Sequence, residues 1–506
     1  MKIELNFSVL FFFLCLKIMK NAIVIGAGIG GIAASIRLAR KGYAVKVFEA
    51  SSFPGGKLSE FKMGEYRFDR GPSLFTLPQY VEELFELCEE RMSEHFSYSE
   101  LPILCKYFYP DGFIFEAKGN KEENIKAIVQ AFDEDEEKVR AFFSKAEFIY
   151  NTTAPLFLER PLKLSKLYKT KAFWKGIARI PRLPLIGSYT VQLKKYFKNP
   201  KTIQYFQRYA TYNGSNPYKT PALMQLLPHV EQGIGAFIPD KGMYDITFQL
   251  FELAKRQNVE FFFNTKVNEI IIEEKRASGI RYNDTQIEKA NVVVSNMDVY
   301  PTYKKLLTKQ REPRVILNQE KSSSALIFYW GLKDYVNKSL SIHNIFFSVD
   351  YNEEFRNIFE KETLSEDLTV YVHVTSKHIP SDASLNGENW FVMVNAPNNK
   401  GQDWDEIVKK AKENIIQKLE RMLGEKIGDK ICCEHIWTPS GIEADTSSHL
   451  GALYGNASNS ASSAFFRHAN NSSRIKDLYF VGGSVHPGGG VPLAILSAKT
   501  MSDFIR

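Results

Sequence analysis

Gly26, Gly28 and Gly31 stand in the spacing GxGxxG directly behind an apolar run, Ala22 to Ile25. A second apolar run, Val45, Val47 and Phe48, ends on Glu49, 18 residues after the last of these glycines. This combination suits one chemistry, the holding of a dinucleotide. The glycines permit a tight turn, close approach of backbone to a pyrophosphate, and close packing of helix on strand, and the carboxylate accepts hydrogen bonds from ribose hydroxyls. An ordinary glycine-rich turn would leave Glu49 without a reason.

Two further clusters belong with the first. Pro54-Gly55-Gly56-Lys57 offers free backbone amides and a cation for a phosphate or a ring system, and Phe68-Asp69-Arg70-Gly71-Pro72-Ser73 follows shortly after. Near the C-terminus, Gly482-Gly483-Ser484-Val485-His486-Pro487-Gly488-Gly489-Gly490-Val491-Pro492 runs into a predicted helix from about 493 to 504. Pro492 suits a first helical turn, and the helix N-terminus favours negative charge placed against it. His486, ahead of a proline, reads as a positioner of backbone rather than a base. The nine histidines show no HExxH pair, so no metal is expected, and the five cysteines show no CxxC spacing, which fits a reducing compartment.

These residues need strands and helices to hold them. Ala22–Ile25, a helix with Ile32, Ile36 and Leu38 on its apolar face, and the run ending at Glu49 make one βαβ unit. A helix from Tyr244 to Arg256 and strands at 259–264, 266–273, 279–282, 290–295 and 478–481 continue the same domain. Residues 107–109 and 113–115 read as a hairpin around Asp111-Gly112, and runs at 326–332, 368–374 and 390–394 read as a separate sheet.

Charge is concentrated in one place. Residues 160–201 hold twelve Lys and Arg and no acid, so the rest of the chain carries a net −5 against +7 overall. Large apolar residues, Phe173, Trp174 and Ile177 among them, interleave with these cations. That pattern predicts an element lying on an anionic membrane surface; no nucleic-acid motif accompanies it. The apolar run from Phe7 to Leu16 is too short to span a bilayer, and Lys17 to Lys20 leads straight into the first strand. Met19 is therefore the expected start, with an interfacial anchor as the alternative.

Taken together, GAGIGG with Glu49, PGGK, FDRGPS, the Pro239–Met243 turn and VGGSVHPGGGVPLAILSAK resemble the phytoene-desaturase family of carotenoid flavoenzymes, within the amine-oxidase-like flavin superfamily. FDRGPSLFTLPQY and YNGSNPYKTPALMQLLPH (212–229) are most similar to its hydroxycarotenoid 3,4-desaturase branch. The resemblance implies non-covalent FAD with Gly26, Gly28, Gly31 and Glu49 on its ADP half, and Gly56 and Lys57 beside them, Lys57 standing where the family has arginine. It implies a backbone contact to adenine at Val267, with Gly71, Pro72, Ser73, Gly482, Gly483, Gly490 and Val491 around the ribityl chain and flavin ring. The implied activity is desaturation of a C40 polyene, with oxygen or quinone as electron acceptor and no catalytic base assigned. The implied location is cytoplasmic, peripheral on the inner face of the membrane. Phytoene desaturase proper, a saturase, a flavin amine oxidase and a non-catalytic isoprenoid carrier are the alternatives.

The expected fold is α/β, a discontinuous Rossmann-like FAD-binding domain (19–110, 231–300 and 431–506) with a mixed-sheet substrate domain (111–230 and 301–430). A helical membrane-facing insertion sits within the latter.

Overall fold

A five-stranded parallel sheet forms one side of the molecule, in the order Leu478–Phe480, Val292–Ser295, Asn21–Ile25, Ala44–Phe48 and Glu260–Phe262. This computed structural model describes residues 20–158, 171–460, 463 and 466–505. The expectations for the start of the chain, and for Arg160, Lys163, Lys166 and Lys169, lie outside those residues.

The sheet is buried on both faces, which is why its strands read as continuous apolar runs. Ala22 and Val24 face one core with helices Ile29–Arg40, Tyr244–Arg256 and Val491–Ser502, whereas Ile23 and Ile25 face another. The second core is roofed by the three-stranded antiparallel sheet Val267–Glu273, Arg276–Tyr282 and Gln286–Lys289. Ile32, Ile36 and Leu38 are fully buried on the first helix. Burial of each contributes about 1.5–3 kcal/mol. The helix Tyr244–Arg256 and the strand Val267–Glu273 fall where the periodicity predicts them.

A seven-stranded mixed sheet forms the other half, in the order Ile431–Trp437, Ser324–Leu332, Glu388–Ala396, Val370–His373, His343–Phe346, Ile103–Phe108 and Ile114–Lys118. Its pairs are antiparallel except the contact between His343–Phe346 and Ile103–Phe108. Two strands therefore pair away from the FAD-binding segments in which the sequence reading put them. Ile103–Phe108 joins this sheet through its hairpin with Ile114–Lys118, and Ile431–Trp437 pairs with Ser324–Leu332. Local pattern marks a strand at 107–109 and none at 431–437, and it carries no information on the partner of either.

Alternation divides this sheet too. Leu326, Phe328, Trp330, Val370, Val372, Val392 and Val394 pack under helix Trp404–Leu423. The opposite face, with Ile327, Ile345, Tyr371, Phe391 and Met393, lines a cavity. The described part of the basic stretch includes the helices Lys171–Arg179 and Tyr189–Tyr196, joined by non-helical residues at 183–188.

Candidate functional site

The three glycines lie at the carboxyl end of Asn21–Ile25, where the sheet's connections depart in opposite directions; this is the crevice in which open α/β sheets bind ligands. A Cβ on Gly31 would stand 2.1 Å from the Gly26 carbonyl oxygen, so only glycine allows the helix to start there. Helix Ile29–Arg40 has no side-chain cap at its N-cap residue, Gly28, which leaves its first amides free for an anion. The Glu49 carboxylate, at the end of the next strand, accepts hydrogen bonds from the Ala27 amide at 2.7 Å and from the Ser51 amide and hydroxyl at 2.8 and 2.7 Å. It ties the glycine turn to its own strand end.

The other predicted residues converge on the same crevice. Gly28 and Gly55 form a parallel bridge, which sets Gly56 beside the first loop. Gly71 crosses Lys57 so closely that a Cβ would meet the Lys57 carbonyl at 2.3 Å. The Lys57 ammonium donates to the carbonyls of Leu453 at 2.9 Å and Ala452 at 3.2 Å, and burial pulls its pKa down to about 8. Thr265, two residues before Val267, donates its amide to the Glu49 carbonyl, so that segment runs alongside the acid. Gly482 approaches the first loop, and its amide donates to Ser497 Oγ at 2.8 Å. Gly483 lies near Gly489, and Gly490 precedes the final helix, which begins at Val491. Gly490 has φ +106 with open space where a Cβ would be, so its backbone conformation is what calls for glycine. The His486 backbone is held by His468 and Asn470, a positioning role.

The FDR part of the second motif is structural. Asp69 is buried and accepts the Met243 and Tyr244 amides, both at 2.9 Å, and Arg67 at 2.8 Å, so it fixes the N-terminus of helix Tyr244–Arg256.

Asn296 escaped the sequence reading. It follows Val292–Ser295, and its side-chain amide lies 2.8 Å from where a Cβ on Gly28 or Gly30 would be and 2.9 Å from one on Gly482. It stands between the two glycine loops. Its signal was positional, the first residue beyond a strand adjacent to the glycine strand.

Beside the crevice lies a cavity of about 410 Å³, bounded by Gly71–Ser73, by Gly488–Leu493 and by the open face of the seven-stranded sheet. Its lining is mainly apolar, with Leu104, Leu223, Leu227, Ile327, Ile345 and Phe391 among the contributors. Polar side chains interrupt it, two sets of them joined by hydrogen bonds. Arg208 donates to Glu231 at 2.9 Å and to the Tyr212 hydroxyl at 2.5 Å, while Tyr209 donates to Glu231 at 2.7 Å and Tyr212 also bonds to Glu231. The guanidinium is ringed by Tyr107, Tyr209 and Tyr212, with centroids at 4.5 to 5.2 Å. In the second group, Ser73 Oγ lies 2.7 Å from the Tyr371 hydroxyl, which lies 2.7 Å from His343 Nδ1. His343 stacks on His373 at 4.7 Å. Burial drives both imidazoles to the neutral form, His373 to a pKa of about 3. Of these polar residues, the sequence reading placed Ser73 at the cofactor, Tyr107 in a hairpin strand and Tyr212 in a motif; the rest converge only in three dimensions.

These arrangements fit a bound dinucleotide with an apolar substrate beside it. The flavin-containing amine oxidoreductase family model matches residues 29–505. The chain is 46% identical to a 1-hydroxycarotenoid 3,4-desaturase of Flavobacterium sp. (strain P99-3), across 96% of this chain and 99% of that protein. It is 30% identical to a 4,4'-diaponeurosporene oxygenase of Staphylococcus aureus, across 96% and 98%. Among solved structures it resembles an oxidoreductase from Methanosarcina mazei (TM-score 0.63, 14% identity, 96% and 100% covered) and putrescine oxidase (TM-score 0.61, 12% identity, 96% and 98% covered). The chain belongs to the flavin-containing amine oxidoreductase family, and FAD is its cofactor.

Proposed function

We propose that the chain is a carotenoid desaturase that introduces C=C bonds into a C40 polyene, acting as a 1-hydroxycarotenoid 3,4-desaturase. The observation that carries this reading is the 46% identity over nearly the whole of both chains. The apolar cavity against the glycine-rich crevice supports it. An amine substrate fits poorly, because Glu231 is the only acid among the described lining residues and Arg208, Tyr209 and Tyr212 already occupy it.

FAD supplies the two-electron acceptor that no side chain provides. Gly26, Gly28, Gly31 and Glu49 hold its ADP half, with Val267 at the adenine. Gly56, Lys57, Gly71, Pro72 and Ser73, with Gly482, Gly483, Gly490 and Val491, surround its reactive half. The residues around the cavity exclude water and hold the polyene alongside. Oxygen or a quinone takes the electrons onward.

The substrate is lipid-soluble, and the basic stretch gives the protein a route to it. No described helix is long and apolar enough to cross a membrane. Trp174, Ile177, Ile180, Leu185 and Ile186 are exposed, Ile186 at 88%, and Lys194 and Lys195 are exposed nearby. Lys201, in contrast, is engaged with Asp111. This part of the molecule docks on the cytoplasmic face of an anionic membrane, each Lys or Arg near the surface contributing about 1 kcal/mol. Replacing Lys163, Lys166, Lys169 and Lys171 by Gln should weaken binding to anionic vesicles far more than to neutral ones, and Trp174→Ser should weaken both. Parental binding by both variants would exclude this docking face.

The activity itself is tested by expressing the chain in a host that accumulates 1-hydroxylated acyclic polyenes. The extracted pigment should lose two hydrogens and absorb at longer wavelength. Unchanged pigment with FAD-loaded protein present would refute the reading.

A further inference from the structure

The polar wall of the cavity is costly unless something uses it. Among the described residues, four buried polar atoms on cavity-lining side chains have no hydrogen-bond partner: His343 Nε2, Arg208 Nε, Asn213 Oδ1 and Arg467 Nε. His343 is only 3% exposed. An orphaned polar atom in such a place loses its hydration without compensation, unless a ligand completes it.

The chain of bonds that ends at His343 begins beside the cofactor crevice, because Ser73 follows Gly71 and Pro72. The Tyr371 hydroxyl has one proton to share between Ser73 Oγ and His343 Nδ1. If it goes to His343, Nε2 carries the hydrogen and donates; if it goes to Ser73, Nδ1 carries the hydrogen and Nε2 accepts. A hydroxyl suits either arrangement, since it both donates and accepts. A carbonyl or an ammonium suits only one. Burial disfavours a charged imidazole at His343, and His373 and Arg208 act in the same direction.

We propose that His343 Nε2, held by Tyr371 and Ser73 in the cavity that Arg208 and Asn213 also line, is the subsite that receives the hydroxyl group of a hydroxylated polyene. The inference rests on the desaturase reading and adds the residue that selects for the hydroxyl. In a 1-hydroxylated substrate oxidised at carbons 3 and 4, the hydroxyl-bearing carbon is two bonds from the first reacting carbon. The receiving group must then lie a few ångströms from the reacting bond, as a chain of bonds starting at Ser73 requires. His343 here is a specificity-determining residue, and Tyr371 and Ser73 position it.

The experiment compares the FAD-loaded parent with His343→Leu, His343→Gln and Tyr371→Phe. Two substrates are used in vesicles, a 1-hydroxylated acyclic C40 polyene and the same skeleton with hydrogen at C1. The readout is the ratio of the two kcat/KM values, with FAD occupancy measured alongside. The ratio should fall about tenfold or more in His343→Leu, as expected when a buried hydrogen-bonding partner is lost. It should fall less in His343→Gln, which keeps one donor and one acceptor, and should also fall in Tyr371→Phe, which releases the imidazole. A ratio unchanged in all three, with both substrates slowed in proportion, overturns the subsite and leaves the desaturase reading standing. If the FAD-loaded parent converts neither substrate, the desaturase reading fails and takes the subsite with it. Should His343→Leu not fold, the other two variants still decide the matter.

Discussion

The cofactor crevice and the substrate cavity share a border at Gly71–Ser73 and Gly488–Val491, yet they are built from different materials. The crevice is made of backbone. Its amides, glycine turns and helix ends come from short contiguous stretches, and its side chains are few: Glu49, Lys57 and Asn296. The cavity is made of side chains supplied by one face of a mixed sheet and by helices distant in sequence, and its polar pairs are joined across long separations, Arg208 to Glu231 and Ser73 to Tyr371. A backbone-built site leaves little room for added atoms at its tightest turns. A side-chain-built site tolerates changes of shape and punishes loss of a polar partner.

That contrast is first tested where an added side chain has the least room. Gly31→Val places a Cβ 2.1 Å from the fixed Gly26 carbonyl, so no folded protein should be recovered from cells. Gly28→Val meets only the end of the Asn296 side chain, at 2.8 Å, which can swing aside. That variant should fold, with a parental far-UV spectrum, and emerge without flavin. A yellow, fully loaded Gly28→Val protein would break the assignment of this loop to the cofactor.

On the cavity side the largest loss should come from Glu231→Leu, which leaves Arg208 charged and buried. Breaking a buried pair in this way costs about 3–5 kcal/mol, readable in the urea midpoint. The double change Arg208→Met with Glu231→Leu should recover most of that loss, because no orphaned charge remains. If the single and double variants are equally destabilised, packing rather than charge accounts for the pair.

A smaller effect distinguishes the crevice by pH. Burial lowers the Lys57 amine from 10.5 to about 8, so between those values the unfolded chain still holds a proton that the folded chain has released. Stability of the flavin-free protein should therefore rise with pH across that interval, by at most roughly 3 kcal/mol. Lys57→Met should flatten the rise. An equal slope in both proteins would assign it to other groups.

The same difference in construction explains what could be read from the sequence. GxGxxG, Glu49, the Gly-Gly pairs and the helix Tyr244–Arg256 are local patterns, and the structure places them together at one crevice. Glu49 adds something the pattern did not predict, since its carboxylate already holds the Ala27 amide. Asn296, His343, Tyr371, Arg208 and Glu231 carry no such pattern; each is a single polar residue whose neighbours are set by sheet register and helix packing. Of Ile103–Phe108 only 107–109 was legible as strand, Ile431–Trp437 was not, and membership of the second sheet was legible for neither, because strand pairing is a long-range property.

The central claim is that crevice and cavity serve one reaction, and an anaerobic titration addresses it most directly. FAD-loaded protein is mixed, without oxygen or quinone, with a 1-hydroxylated acyclic C40 polyene in vesicles. The visible absorbance of the oxidised flavin should bleach by one equivalent for each new C=C bond, with a product lighter by two hydrogens. Persistent flavin colour together with an unaltered polyene, in protein shown to bind the vesicles, would contradict the account.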